Sequence, residues 1–266
     1  MAEWQSGDVV ANGVKIHYTR TGGGLPPLVL NHGATDNGLC YTPVARALAA
    51  DYDVVMPDAR GHGLSDAPEA GYGVEERAAD LAGVIRALGL ERPAVGGHSM
   101  GAGTTLCFAA QYPDMLRCAV LEDPGFRMDG PAGRPGGPRQ MVLQHKGKTR
   151  EELIAHARQA HPTWPEDELG PWADSKIQVS LSFANAPRAF PEQPDWRELL
   201  PKVRVPTLLI TSDPELGGIV TPEAARLAKE LLPSLEVVRL SPAGHNVRRE
   251  QRARFLEVVR GFLAAH

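Results

Sequence analysis

The sequence predicts an α/β domain built on a mostly parallel sheet with helices on both faces, and three features carry that expectation. Short apolar runs end abruptly in loops, at Asn31-His32-Gly33 and at Pro57-Asp58. Runs that are apolar throughout suit strands buried on both faces. Helical patterns with start and stop signals stand between those runs. The alternation breaks once, over residues 125–201, and then resumes.

Taken in order, Val14-Lys15-Ile16-His17-Tyr18 alternates like an exposed strand. Leu28-Val29-Leu30 reads as a buried strand, residues 43–50 as a short helix, and Val54-Val55-Met56 as a second buried strand. Leu81, Val84, Ile85 and Leu88 share one helical face, with Gly89 as its stop. Residues 93–97 read as a strand, 102–112 as a helix and 118–121 as a strand. From Gly125 onward Pro and Gly accumulate, a helix follows over 150–160, and further prolines and tryptophans reach Trp196. A loop of that length without structure of its own is unusual in a compact domain. Residues 125–201 are therefore expected to form a small helical insertion between core segments 1–124 and 202–266. A strand at 207–211 follows, and Thr221-Pro222 opens a helix as cap and first residue. Residues 235–240 then form a last strand, and 246–265 an amphipathic closing helix. Strands and helices alternating at this spacing give a parallel sheet covered on both sides.

Composition narrows the function. Hydrophobic residues are 42% and charged residues 23% of the 266, as in ordinary globular proteins. The net charge of −4 leaves no basic footprint for nucleic acid or an anionic membrane. Arg248-Arg249 beside Glu250 reads as an exposed helix face. The three cysteines, Cys40, Cys107 and Cys118, lack zinc-type spacing and are expected as free thiols in a reducing compartment. No signal peptide opens the chain and no apolar stretch approaches bilayer length, so a soluble cytoplasmic protein is expected.

The chemistry concentrates in two places. Gly97-His98-Ser99-Met100-Gly101 lies between a strand and a helix, where a serine on the sharp turn is strained and exposed above the sheet. The helix that begins there favours negative charge at its N-terminus. His245, in Gly244-His245-Asn246, falls between the last strand and the last helix and can supply the base that a serine nucleophile needs. His32 and His62 are rivals, each in a loop with another reading. A backbone N–H in Asn31-His32-Gly33-Ala34, that of Ala34, can pair with the N–H of Met100 to hold an oxyanion. The loop Asp58-Ala59-Arg60-Gly61-His62-Gly63-Leu64-Ser65 reads as structural.

Together these motifs resemble the α/β-hydrolase superfamily, in its serine esterase and lactonase branch. The resemblance spans nearly the whole chain: His-Gly after the third strand, Asp-x-Arg-Gly-His-Gly-x-Ser after the fourth, Gly-x-Ser-x-Gly after the fifth, and Gly-His before the last helix. It implies an eight-stranded, mostly parallel sheet, a helical cap inserted after strand six at Gly125, and no cofactor or metal. It also implies a small-molecule substrate cleaved by a Ser-His-acid triad. Members that are haloalkane dehalogenases or epoxide hydrolases carry Asp where this chain has Ser99, which disfavours those chemistries here.

The third triad member stays open. The family commonly places its acid after strand seven, where Asp213 and Glu215 compete; Asp123, after strand six, is placed first. Zearalenone lactonases carry their acid at the position of Asp123, and the stretch from Tyr112-Pro113-Asp114 to Asp123-Pro124 resembles theirs. Trp164, Trp172, Trp196, Phe126, Phe183 and Phe190 could line an apolar pocket over Ser99, although aromatic residues in a small insertion more often form its own core. His145, His156 and His161 lack zinc spacing and read as solvent-facing. The expected activity is hydrolysis of a moderately apolar ester or lactone by a monomer or homodimer. Carbon–carbon bond hydrolysis, cofactor-free perhydrolysis and a ligand-binding receptor remain as alternatives.

Overall fold

The computed structural model describes residues 4–22, 24–128, 137–186 and 194–266. Eight strands form one sheet: β1 (Gln5–Ala11), β2 (Val14–Arg20), β3 (Pro27–Asn31), β4 (Asp53–Pro57), β5 (Ala94–His98), β6 (Cys118–Glu122), β7 (Thr207–Thr211) and β8 (Glu236–Arg239). Their spatial order is β1-β2-β4-β3-β5-β6-β7-β8. β1 and β2 are antiparallel, as are β2 and β4, and every pairing from β4 onward is parallel.

The helices are α1 (Thr42–Leu48), α2 (Val74–Ala87), α3 (Met100–Gln111), α4 (Gly137–Leu143), α5 (Arg150–Ala160), α6 (Glu166–Gln178), α7 (Leu181–Asn185), α8 (Trp196–Leu199), α9 (Pro222–Leu231), α10 (Val247–Glu250) and α11 (Arg252–Ala265). The pleat divides the apolar strand residues between two cores. Val29, Val55, Val95, Leu121 and Leu209 pack with α2, α3 and α9 on one face. Leu28, Leu30, Val54, Met56 and Ile210 pack with α1 and α11 on the other. Each fully buried Val, Leu or Ile contributes about 1.5–3 kcal/mol, so strands buried on both faces anchor the sheet centre.

The cap expected at Thr221 is present, and α5 has another that was not expected. The Thr221 side chain accepts from Ala224 N–H with Pro222 at the first turn, and Thr149 and Glu152 close a reciprocal capping box on α5. The closing helix differs from expectation. It is broken at Gln251, whose φ of −128° separates α10 from α11.

Between β6 and β7 run α4 to α8. Leu153, Ala157, Trp164, Leu169, Trp172 and Ala173 form a small core between α5 and α6. Phe126 stacks on Trp196, their centroids 4.4 Å apart, as part of the main core. Of the aromatic residues expected near Ser99, only Phe183 joins Met100, together with Tyr72, Val142 and Val179; Phe190 lies outside the described residues.

Candidate active site

The sheet register brings the chemistry to one edge. Asn31 pairs with Gly97, and His98 pairs with Glu122, so the loops after β3, β5 and β6 leave the sheet side by side at their carboxyl ends. Ser99 stands between β5 and α3 with φ of +52° and ψ of −111°, a conformation costly for any residue with a side chain. Its N–H donates to the Glu122 carbonyl at 2.9 Å, which helps hold the turn. Close approach of the backbone requires Gly101, since a Cβ there would lie 2.1 Å from the Asn31 carbonyl oxygen.

His245 meets a carboxylate. Its Nδ1–H donates to Asp123 Oδ2 at 2.6 Å, and the Asp123 side chain is 0% exposed. A carboxylate acceptor on Nδ1 fixes the tautomer and leaves Nε2 bare. Asp123 itself has φ of +39°, and it also accepts from the Ile219 N–H at 2.9 Å and the Val220 N–H at 3.0 Å. Asp213 and Glu215 turn elsewhere. Asp213 accepts from Arg239 Nε at 2.9 Å, Ser241 Oγ at 2.8 Å and the Ala243 N–H at 3.1 Å. Hydrogen bonds from Ser241 and Arg239 hold its carboxyl below the usual range. Glu215 lies on the surface, 3.5 Å from Arg239.

Ala34 and Met100 lie together. The Ala34 side chain packs on the cluster that contains Met100, and among the described residues neither amide has an acceptor. A Cβ at Gly33 would lie 3.6 Å from Ser99 Cβ and 2.6 Å from His98 Nδ1, so this loop runs directly against the serine. Ala34 sits in a β-turn closed by Asp36 N–H to the Gly33 carbonyl at 3.1 Å.

Of the rival histidines, His32 is a structural bridge and His62 is packed beside it, its Nδ1–H donating to the Arg60 carbonyl at 2.9 Å. His32 Nδ1–H donates to the Gly33 carbonyl at 2.8 Å, and its Nε2 accepts from the Ala59 N–H at 2.9 Å. The His62 ring lies between His32 and Phe183, tilted 58° to each, at centroid distances of 5.1 and 4.4 Å. Burial pushes the pKa of both down. A cavity of about 30 Å³ opens between Asp58, Arg77, Thr104 and the inner side of Met100. Neither Ser99 nor His245 lines it, and its volume suits a single water.

A model of the alpha/beta hydrolase fold matches residues 26–248. The chain belongs to the α/β-hydrolase fold family. This α/β hydrolase is 31% identical over 254 residues to N-formylmaleamate deformylase of Pseudomonas putida, an alignment covering 91% of this chain and 90% of that protein. It is 29% identical to 2-(acetamidomethylene)succinate hydrolase of Mesorhizobium japonicum, over 92% of this chain and 91% of the relative. A solved E-2-(acetamidomethylene)succinate hydrolase superposes with a TM-score of 0.82 at 26% identity, covering 98% of this chain and all of the other. Lipase 1 of Psychrobacter immobilis is 27% identical over 89% of this chain and 76% of its own.

Several residues of this hydrolase's site carry no signal in the sequence. His98 occupies the variable place in the serine motif, yet it is buried, and its Nε2–H donates to the His245 carbonyl at 2.8 Å. Burial, with Arg248 and His245 nearby, holds it well below the usual histidine range, so a neutral ring braces the loop that carries His245. Arg248 and Arg249 are 0% and 2% exposed, against the expectation of a solvated face. Arg248 reaches Glu122 at 3.4 Å and Asp36 at 3.1 Å, and Arg249 reaches Asp36 at 2.9 Å. Their partners lie in distant stretches of chain, so nothing local announces them. His145 is likewise buried rather than solvent-facing, edge-on to Trp172 with centroids 5.2 Å apart. His161 is half-buried and stacks on Trp164 at 4.0 Å.

Proposed function

We propose that this α/β hydrolase is a serine hydrolase that cleaves a carboxylic ester or lactone of a small, moderately apolar molecule through an acyl-enzyme. The observation that carries the reading is the 2.6 Å bond from His245 Nδ1 to a fully buried Asp123, beside a serine in a strained turn. Ser99 is the nucleophile, His245 the base and Asp123 the residue that orients it.

In this mechanism the Ser99 hydroxyl proton passes to His245 Nε2 as Oγ bonds to the substrate carbonyl carbon. The Met100 and Ala34 N–H groups receive the oxyanion. The tetrahedral intermediate then expels the alkoxide, which takes the proton from His245. Water, deprotonated by the same ring, attacks the acyl-enzyme and releases the acid. Met100, Val142 and Phe183 supply apolar surface near Ser99, and residues 125–201 act as the cap that selects the substrate.

A second reading is favoured by a specific observation. Two relatives similar over nine-tenths of both chains are named as a deformylase and an acetamido-compound hydrolase, which points to C–N cleavage of an N-formyl or N-acyl group. The same residues serve there, with His245 protonating a leaving amine.

A fluorophosphonate is expected to label wild-type Ser99 and not Ser99→Ala, and that variant should lose several orders of magnitude in turnover. Wild-type-like hydrolysis by Ser99→Ala would sink the reading. A panel of esters, lactones and N-formyl or N-acetyl amides of graded size then separates the two substrate classes.

A further inference from the structure

The loop that carries Ala34 holds an unfavourable conformation. Thr35 has φ of +63°, at the turn position that glycine fills in type II turns. A β-branched residue there costs on the order of 1–3 kcal/mol and persists only when its surroundings over-determine it. The determining group comes from the insertion. Lys176, on α6, directs its Nζ to the Thr35 carbonyl at 2.9 Å, Asp36 Oδ1 at 2.8 Å and Ser175 Oγ at 3.2 Å, which uses all three ammonium protons. The Lys176 side chain is 4% exposed and the Asp36 side chain 5%.

Further contacts tie the same helix to the same loop. Asn37 Nδ2 donates to Gln178 Oε1 at 2.7 Å, and Cys40 Sγ lies 3.6 Å from the Pro171 carbonyl. Asp36 is fixed from its other side by Arg248 and Arg249. Burial would raise its pKa, but Arg249, Lys176 and Arg248 together hold the carboxyl well below the usual range. Asp36 therefore faces Lys176 as a carboxylate, at 2.8 Å. An apolar side chain would fill this volume at less desolvation cost. The ammonium matters because it holds the Thr35 carbonyl, one residue beyond Ala34.

We propose that Lys176 is a positioning residue: delivered by α6, it locks the Gly33–Asp36 turn in the conformation that aims the Ala34 N–H at the oxyanion formed on Ser99. The inference rests on the serine-hydrolase reading and gives the insertion a part in the chemical step. Its effect falls on transition-state stabilisation and spares substrate binding and the His245 base.

The test compares wild type with Lys176→Met in hydrolysis of p-nitrophenyl acetate and in inhibition by phenylboronic acid, which forms a tetrahedral adduct on the serine. Lys176→Met is expected to lower kcat about 10- to 100-fold, less than the loss of a whole oxyanion donor. KM stays within about threefold, the acid limb of the pH profile does not move, and phenylboronic acid affinity falls by the same factor as kcat. Adding Thr35→Gly, which accepts positive φ without strain, should restore most of the lost kcat. A Lys176→Met kcat within twofold of wild type, a loss confined to KM, or a displaced acid limb overturns the assignment. Should the Met variant fail to fold, Lys176→Gln, with too few donors for all three acceptors, is read by the same ratios. A parallel fall in kcat and boronate affinity supports the proposal, and wild-type values overturn it. Absence of fluorophosphonate labelling in wild type defeats the hydrolase reading and this inference together. Labelling with an unimpaired Lys176→Met defeats the inference alone.

Discussion

At the scale of single residues, the acid near His245 shows what side-chain direction adds to a reading of the sequence. Asp123 and Asp213 both follow the end of a central strand, and both are buried. Backbone direction separates them: Asp123 turns at φ of +39° toward His245, whereas Asp213 continues at φ of −93° toward Arg239 and Ser241. No local pattern encodes that difference, so the sequence places Asp123 first but leaves Asp213 and Glu215 open beside it. The places of the candidates Ser99 and His245 were legible because strand–turn–helix order restricts them: Ser99 stands between β5 and α3, and His245 between β8 and α10. Two substitutions separate the carboxylates. Asp123→Asn should lower kcat by about four orders of magnitude, since an amide that can donate to Nδ1 selects the wrong tautomer. Asp213→Asn should leave kcat within a few-fold and lower the melting temperature by weakening the Arg239 pair. Measuring kcat and Tm on both decides it, and an Asp123→Asn enzyme of normal rate would refute the assignment.

At the scale of elements, β2 to β8 are all legible in the sequence: β3 to β7 as short runs buried on both faces, β2 by its alternation and β8 by its place after the last helical pattern. β1 escaped notice because Gln5–Ala11 has mostly exposed or half-exposed side chains at a sheet edge, which leaves no apolar run to see. α6 has no clear sequence signal because Pro171 interrupts its pattern and because two of its buried positions, Glu168 and Lys176, are charged rather than apolar. The join of β5 to α3 depends on the absence of a side chain at Gly101, whose added Cβ would meet the Asn31 and His32 carbonyl oxygens at 2.1 and 2.6 Å. Backbone oxygens cannot rotate away, so the helix would have to move. Gly101→Ala is expected to destabilise the fold by about 3 kcal/mol, lowering Tm by roughly 6–12 °C. It should also displace the Met100 N–H and reduce kcat. A calorimetric scan showing an unchanged Tm would refute this account of the junction.

For the whole molecule, the buried histidines set the response to acid. Burial pushes His32, His62, His98 and His161 below the usual histidine value and His145 down to about 4. The unfolded chain takes up these protons near pH 6.5 while the folded chain refuses them, so their stability is present above that pH and lost as pH falls through it. Each such group costs up to about 1.4 kcal/mol per pH unit in that window. Glu122, pushed up by burial, opposes the slope, and the depressed Asp36 adds its own loss only below its ordinary value of 3.8. Tm should therefore fall by several degrees between pH 7 and pH 5, above the range where ordinary carboxylates protonate. A flat Tm across that interval would contradict the neutral, buried state of these rings.

The buried ion pairs of α6 bear on how such proteins can be recombined. Lys176 faces Asp36 at 2.8 Å, and Glu168 faces Arg249 at 3.4 Å and Arg252 at 2.7 Å. An exchange of α6 for a foreign helix would remove the counter-charges that Lys176 and Glu168 give to buried Asp36, buried Arg249 and half-buried Arg252, and breaking one buried pair costs about 3–5 kcal/mol. The insertion is therefore not an interchangeable module. Any exchange of that segment has to carry Asp36, Arg249 and Arg252 with it as a matched set.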